Sequence, residues 1–368
     1  MRSLTGITSP RSTESVLAKV GKRVKWLWNV LSHIILGLAP QNTRSNPVPS
    51  RQQLFARPTS PSLIRTAPHR VDTSQFWAVL IGIDAYESWP LQGCVSDASL
   101  MKNFLIDDLG VPKEQIQCLL GSHNLIPDDP LKPSHANIVD TLYSLIHNDE
   151  IQLGDNIIIY YAGHGSSYQC SEHSFTTPNC RPELCPVEAL CPIDRDTLDS
   201  HGRWVPDISD RELNALFTEI SRVKGHKITF IADCCHAGGM SRNLETTRPR
   251  WISPSGHTDA DNMLHVADER LKSFPDYKSV LSKDWKPDMG SHVVLAACRD
   301  YQRASETLGT EGYRGVLTER LVSILRSDAW NKDTTYVGLT KLLNQSYSQT
   351  PVVAGDHKCK QLWYPEGV

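Results

Sequence analysis

Two apolar segments of the 368-residue sequence end in residues that could form a nucleophile and its base. Residues 227–233 run into the adjacent Cys234 and Cys235, and residues 155–162 run into His164. A thiol is only weakly ionised at neutral pH, so an imidazole must take its proton before the sulfur attacks a carbonyl carbon. Because parallel strands bring their carboxyl ends to one edge of a sheet, we predict that His164 meets one of these thiols there, as cysteine peptidases require.

Acyl transfer to a thiol also needs hydrogen-bond donors for the oxyanion that forms. The backbone N–H groups of Gly165 and Cys235 are the candidates, because both follow the ends of apolar segments. The opposing interpretation is a packed thiol and a buried core histidine, since free cysteine is often buried. Along a pleated strand Cys234 and Cys235 face opposite sides, so only one of them can face His164, and composition alone does not decide which.

Apolar runs alternate with segments of helical period over most of the chain, which predicts a three-layer α/β/α sandwich. Ser209 and Glu212 have capping-box spacing at the start of one helix. Residues 166–207 and 239–291 are interpreted as long loops after the two catalytic strands. The predicted strands are 77–83, 116–120, 155–162, 227–233 and 292–298, and the predicted helices are 96–109, 135–147, 209–224, 314–327 and 335–347.

Two motifs around the candidate pair resemble those of metacaspases. Asp233-Cys-Cys-His-Ala-Gly238 is similar to their Asp-x-Cys-His-Ser-Gly signature, and Tyr161-Ala-Gly-His-Gly165 is similar to their Tyr-Ser-Gly-His-Gly element. In that family the nucleophile precedes the histidine, which implies Cys235. The likeness extends over about residues 75–363 and implies a caspase-like fold with a mostly parallel, six-stranded sheet.

The resemblance also implies a substrate pocket. The family's acidic pocket positions match Asp97 and Asp233, and Cys94 matches a further pocket position. Two carboxylates can hold a guanidinium through charge-assisted hydrogen bonds, so protein or peptide substrates with Arg or Lys before the cut bond are expected. The alternative for Asp97 is an acid that stabilises a helix N-terminus.

The long segment after Cys235 is rich in basic residues, and the resemblance implies that the enzyme processes itself there. These basic residues include Arg242, Arg248, Arg250, Lys272, Lys278 and Lys283. A rival hypothesis is a catalytically inactive caspase-like interaction module that is recruited through an N-terminal amphipathic helix. A third is a transamidase or legumain-like ligase that uses the same Cys/His pair.

No cofactor is required by a Cys/His mechanism, and metal binding is an open question. Asp194 and Asp210 match two calcium positions of the family, with Asp207 nearby, but Arg242 stands where the family has aspartate, which should weaken calcium binding. Ten cysteines suggest a reducing compartment. One inserted segment contains several residues of zinc-ligand type, but it has no Cys-x-x-Cys pair, so scattered thiols are favoured over a zinc site. These residues are Cys170, His173, Cys180, Cys185, Cys191 and His201.

The first 74 residues are interpreted as a basic extension. Residues 1–70 carry eleven Lys or Arg and one acid, Glu14, hence a formal charge of +10, while the rest of the chain has −13. Residues 14–39 have the period of an amphipathic basic helix, a candidate for peripheral membrane contact, a mitochondrial presequence or a partner helix, and 40–74 is expected to be a disordered linker.

Residues 75–368 form the predicted peptidase domain, with a large-subunit-like part at 75–240, a loop at 241–290 and a small-subunit-like part at 291–368. Its acidic charge argues against binding of nucleic acid. A monomer is expected, in the cytoplasm or alternatively in mitochondria.

Overall fold

A computed structural model describes residues 72–124, 129–169, 186–235, 247–299, 302–310, 312–343 and 349–363. The predicted amphipathic helix 14–39 and all but the last three residues of the predicted linker lie outside the described residues. No helix in the described ranges combines the length and the apolar character needed to cross a membrane.

The strands occur in three sheets, and in chain order those of the described residues are β1 Phe76–Ile83, β2 Ile116–Gly121, β3 Asn156–Ala162, β4 Gly165–Tyr168, β5 Val187–Leu190, β6 Ile208–Ser209, β7 Ile228–Asp233, β8 Thr247–Pro249, β9 Val293–Ala296, β10 Ser305–Gly309, β11 Gly312–Gly315 and β12 Val352–Ala354. The described α-helices are α1 Cys94–Asn103, α2 His135–His147, α3 Asp210–Lys224, α4 Ala260–Leu271, α5 Val316–Leu325 and α6 Tyr336–Leu342.

The central sheet has six strands in the order β12-β9-β7-β3-β1-β2. Its strands are parallel except β12, which pairs antiparallel with β9 at one edge. β1, β3 and β7 are buried along their whole length, as expected for parallel strands covered on both faces. Helices α2, α3 and α4 pack in succession, and α1 packs against α5, which gives the layers of a caspase-like α/β sandwich.

The predicted fold class is confirmed, and the five predicted strands coincide with strands of the central sheet. Ser209 caps the N-terminus of α3, as its spacing to Glu212 predicts, because its hydroxyl accepts a hydrogen bond from the Glu212 N–H at 3.1 Å. The predicted helix 314–327 begins two residues late, because residues 312–315 pair with β10 as a strand.

The interpretation of residues 166–207 and 239–291 as loops was wrong in part. The first segment contributes β4 and β5 to a small antiparallel sheet, and the second contains β8 and the twelve-residue helix α4. The sequence did not predict these short strands, because three or four residues are too few to show an alternation of apolar and polar side chains. Their pairing also depends on partner strands that are distant in the chain.

Candidate active site

Strands β3 and β7 are neighbours in the sheet, and their carboxyl ends carry the two predicted catalytic residues. Ala162 on β3 pairs with Asp233 on β7, and His164 and Cys235 each follow two residues after this pair. Both side chains are almost completely buried, at 1% exposure each. The sheet therefore delivers an imidazole and a thiol to one edge, in a site shielded from water.

The His164 ring is fixed by a backbone carbonyl. Its Nε2 lies 2.7 Å from the carbonyl oxygen of Trp89. A carbonyl can only accept, so the proton of the neutral ring is on Nε2, and Nδ1 keeps the free lone pair of a base. Nδ1 is buried and has no hydrogen-bond partner among the described residues. Burial lowers the pKa of His164 to about 4, so the ring is neutral at physiological pH.

Residues around His164 hold its backbone in place. The Tyr86 hydroxyl accepts the His164 N–H at 3.0 Å, and the Tyr161 hydroxyl donates to the His164 carbonyl at 2.6 Å. Trp89 has a left-handed backbone, with φ of 59°, which is costly for a bulky residue. Such strain at the residue that orients His164 agrees with a functional constraint on this segment.

The two adjacent thiols have different surroundings. The sulfur of Cys235 accepts the Ala304 N–H at 2.6 Å, and its thiol donates to the Ala304 carbonyl oxygen at 3.1 Å. Burial raises the pKa of Cys234 well above its ordinary value, which makes that thiol a poor nucleophile. Cys235 is therefore the better placed of the two cysteines for chemistry.

The backbone N–H groups predicted as oxyanion donors converge on a single atom. Gly165 N–H and Cys235 N–H both donate to the carbonyl oxygen of Arg250, at 3.1 and 3.0 Å. Two N–H groups aimed at one oxygen are the arrangement that stabilises an oxyanion during acyl transfer. In this structure a carbonyl of the chain itself occupies that position.

The side chain of Arg250 fills an acidic pocket and is completely buried. Its Nη2 pairs with Asp97, and its Nη1 lies 2.9 Å from Asp233 Oδ2. A third carboxylate, Glu306, lies 3.7 Å from Nη2. Burial raises the pKa of Asp97 to about 6, an effect that the positive charge of Arg250 opposes. The structure thus brings Asp97 and Asp233 together around one guanidinium.

The walls of the pocket come from helix starts and a glycine. Asp97 lies in the first turn of α1, and Asp233 accepts the Thr318 hydroxyl at 2.6 Å from the first turn of α5. Gly315 precedes α5, and a Cβ there would overlap the pocket carboxylates and the guanidinium, so only glycine leaves room for a basic side chain. Cys94 is also buried here, and burial raises its pKa well above the usual range.

Sequence reasoning missed Glu306 and Asp84 as members of the pocket. Asp84 directly follows β1, so the rule that identified His164 at a strand end also applied to it. Glu306 lies on β10, a short strand of the second small sheet, and no pattern in the sequence marks it. Only the pairing of β10 with β8 and β11 brings it to the guanidinium.

The chain around Arg250 is extended across the ends of β3 and β7. Residues 247–249 pair antiparallel with β10, and the Arg250 N–H donates to the Ala304 carbonyl at 3.0 Å. On the other side, the Ile252 N–H donates to the Gly165 carbonyl at 3.1 Å. An added antiparallel strand with pockets for side chains is a common way for a protein to bind an extended peptide.

Of the residues considered for calcium, Asp207 and Asp194 have other partners and Asp210 is buried. Both carboxylate oxygens of Asp207 are bound by Arg195, each at 3.0 Å, and Asp194 accepts the His135 N–H at 2.8 Å. A paired guanidinium beside Asp207 opposes binding of a divalent cation. Asp210 is buried, which raises its pKa to about 7 and disfavours the charged form.

Metal-ligand residue types also occur in two other groupings. Ligand atoms of Asp84, Cys94 and Glu306 lie within 4.8 Å of one another, but this group faces Arg250 and belongs to the arginine pocket. Of the cysteines weighed for zinc, Cys191 is buried and donates to Asp207 at 3.5 Å. Cys170, Cys180 and Cys185 lie outside the described residues.

Fold and site together define the class: an α/β sandwich of the caspase type, with a thiol, an imidazole and an acidic pocket at the strand ends. Comparison with known proteins agrees with this class, because residues 77–243 match the family described as metacaspase, peptidase C14 domain. The chain is also similar to several metacaspases of plants and fungi, at modest identity.

Individual relatives are distant. The chain is 26% identical to Metacaspase-9 of Arabidopsis thaliana over 61% of this chain and 63% of that protein. It is 28% identical to Metacaspase-1 of Eremothecium gossypii over 76% of this chain and 64% of that protein. It thus spans less than two thirds of either relative. The crystal structure of protein GSU0716 from Geobacter sulfurreducens has a TM-score of 0.50 at 17% identity, covering 78% of this chain and 98% of that one, which is a likeness of fold.

Proposed function

We propose that this protein is a cysteine endopeptidase that cleaves after arginine, with Cys235 as nucleophile and His164 as general base. One observation carries the proposal: Arg250 has its guanidinium between Asp97 and Asp233 and its carbonyl oxygen on two backbone N–H groups. This is the position in which a peptidase holds the residue before the bond that it cuts.

The proposed reaction begins when the Cys235 thiol turns from the Ala304 carbonyl, to which it donates at 3.1 Å, toward the unpartnered Nδ1 of His164. His164 Nδ1 takes the thiol proton, and the sulfur attacks the arginine carbonyl carbon while Gly165 and Cys235 N–H groups stabilise the oxyanion. The imidazolium then gives its proton to the leaving amine, which departs and leaves a thioester. Water, deprotonated by His164, attacks the thioester and restores the free thiol. Each step is carried by this chain's own residues.

The pocket favours arginine over lysine as the recognised residue. Arg250 presents two terminal nitrogens, and Asp97 and Asp233 each bind a different one. A lysine ammonium is a single point charge on a differently shaped side chain and cannot meet both carboxylates in this geometry. Lysine peptides should therefore be cut, but more slowly.

Self-processing is part of the proposal, at the bond between Arg250 and Trp251. Of the basic residues in the segment after Cys235 that the structure describes, Arg250 is the one held in the acidic pocket. While this segment is in place, it excludes other peptides from the same N–H groups and the same carboxylates. Cutting that bond would free the groove for substrates.

Replacing Asp97 with asparagine tests the substrate assignment. We expect kcat/KM for an arginine peptide to fall about 100-fold, because the change removes one charged partner from a buried ion pair. The matched control is Asp107→Asn, an exposed acid beyond the end of α1, which should behave as wild type. The measurement is release of a reporter group from a short peptide ending in arginine.

The outcomes of this assay separate the alternatives. Equal rates for Asp97→Asn and wild type would refute the pocket assignment. If wild-type protein, freed of its own segment by a cut after Arg250, cleaves no arginine, lysine or aspartate peptide, the inactive interaction module is the better description.

The pH dependence should separate the pocket from the base. We expect kcat/KM for arginine peptides to fall as pH decreases, starting above about 6, because Asp97 has a pKa of about 6 with the Arg250 guanidinium beside it and a higher pKa in the empty pocket of the free enzyme. kcat should persist to lower pH, because His164, with a pKa of about 4, stays unprotonated. Steady-state kinetics between about pH 4 and 8 checks this, and a kcat that declines already near pH 6 would contradict it.

A further inference from the structure

The carboxylate of Glu306 contacts two parts of the site at once. Glu306 is completely buried on β10. Its Oε1 accepts the Gln92 N–H at 3.0 Å, and its Oε2 accepts the Gly93 N–H at 2.8 Å while lying 3.7 Å from Nη2 of Arg250. One side chain therefore bridges the occupant of the pocket and the chain that precedes α1.

That preceding chain, residues 84–93, also carries the carbonyl that orients His164. It begins at Asp84, whose Oδ1 accepts the Cys94 N–H at 2.8 Å, and Gly93 at its other end offers α1 no side-chain cap. Trp89 lies between, with its strained backbone and its carbonyl on Nε2 of His164. Because Glu306 holds residues 92 and 93, it stabilises the segment on which the ring of His164 depends.

We propose that Glu306 is a positioning residue that couples a guanidinium in the pocket to the orientation of His164, and that it makes the enzyme prefer arginine over lysine. This inference rests on the proposed peptidase function. The buried Glu306 carboxylate lies near Asp84 and shares the guanidinium of Arg250 with Asp97 and Asp233, so it needs that cation to stay in place as an acceptor. Nη2 of arginine supplies the cation between Asp97 and Glu306, whereas an ammonium that takes the place of Nη1 beside Asp233 does not.

Two substitutions separate the charge of Glu306 from its role as an acceptor. Glu306→Gln keeps the shape and one acceptor oxygen but removes the charge, so the ratio of kcat/KM for matched arginine and lysine peptides should fall about tenfold, mainly through KM. Glu306→Ala also removes both acceptors. It should lower kcat about tenfold or more for both peptides, because His164 loses its fixed orientation.

A pH profile distinguishes positioning from general damage. In Glu306→Ala the segment that covers His164 loosens, so water reaches the ring and the acid limb of kcat should move up from about 4 toward the ordinary histidine value. Leu308→Ala, at an exposed position on the same strand, is the control and should leave ratio, kcat and pH profile unchanged. An unchanged arginine to lysine ratio in Glu306→Gln, or an unmoved acid limb in Glu306→Ala, overturns the proposal.

Binding gives a readout that does not need peptidase activity. In a Cys235→Ala, Arg250→Gln variant, the pocket lacks its own guanidinium, and calorimetry can compare n-butylguanidine with n-pentylamine as probes of equal charge. Tighter binding of n-butylguanidine, with the difference lost when Glu306→Gln is added, supports the proposal even if wild-type protein cleaves nothing. A difference of the same size with and without Glu306→Gln contradicts it.

Discussion

Replacing Cys235 with alanine is expected to lower kcat at least about 1,000-fold, because no other group can form the thioester. The assay is cleavage of an arginine peptide by the purified full-length protein. Cys234→Ala is the matched control. It should keep most of the activity, because burial raises the pKa of that thiol and the neighbouring sulfur carries the chemistry.

The reverse pattern, with Cys234→Ala inactive and Cys235→Ala active, would contradict the assignment of the nucleophile. His164→Ala provides a second check. Thiol and imidazole act as a unit, so the double variant should be little worse than either single variant, whereas independent contributions would multiply.

Replacing Arg250 with glutamine is expected to abolish self-cleavage at the Arg250–Trp251 bond. Wild-type protein should yield a fragment that begins at Trp251, detectable by intact-mass measurement, and the variant should yield none. Arg248→Gln is the matched control, because Arg248 lies outside the pocket, over the ring of Tyr313 at 4.9 Å. An active enzyme that processes itself at other basic residues but leaves this bond intact would refute the proposed self-cleavage site.

The same substitution should also destabilise the uncut fold. Without the guanidinium, the buried carboxylates of Asp97, Asp233 and Glu306 lose their shared cation, and breaking a buried ion pair by removing one partner costs about 3–5 kcal/mol. Urea unfolding in the Cys235→Ala background, where the chain stays uncut, measures this loss. A change in the free energy of unfolding below about 1 kcal/mol would mean that the pocket does not depend on its internal cation.

The size of this destabilisation should depend on pH in a defined direction. A carboxyl whose folded pKa is raised, as burial raises that of Asp97 from 3.8 to about 6, binds more protons in the folded state, so stability falls as pH rises through that interval. Removing the positive charge of Arg250 raises this pKa further. The gap between Arg250→Gln and its parent should therefore be larger at about pH 8 than at about pH 5.

Whether a site residue could be predicted from the sequence depended on the type of secondary structure in which it lies. His164 and Cys235 could be placed because long apolar runs mark buried parallel strands, whose carboxyl ends share one edge whatever the rest of the fold does. Asp97 and Asp233 could be nominated from short motifs. Their meeting around one cation required α1 and α5 to present their first turns to the same strand end, which no local pattern encodes.

By itself the sequence determined the fold class, the strand ends and the residue types needed for thiol chemistry, because hydrophobic period and glycine-rich turns are local properties of the chain. Only the tertiary structure decided that Arg250 enters the pocket, and that Glu306 and the Trp89 carbonyl complete the site. Those contacts join short strands and loops up to 214 residues apart. Their energy comes from burial and charge pairing that exist only after the chain has folded.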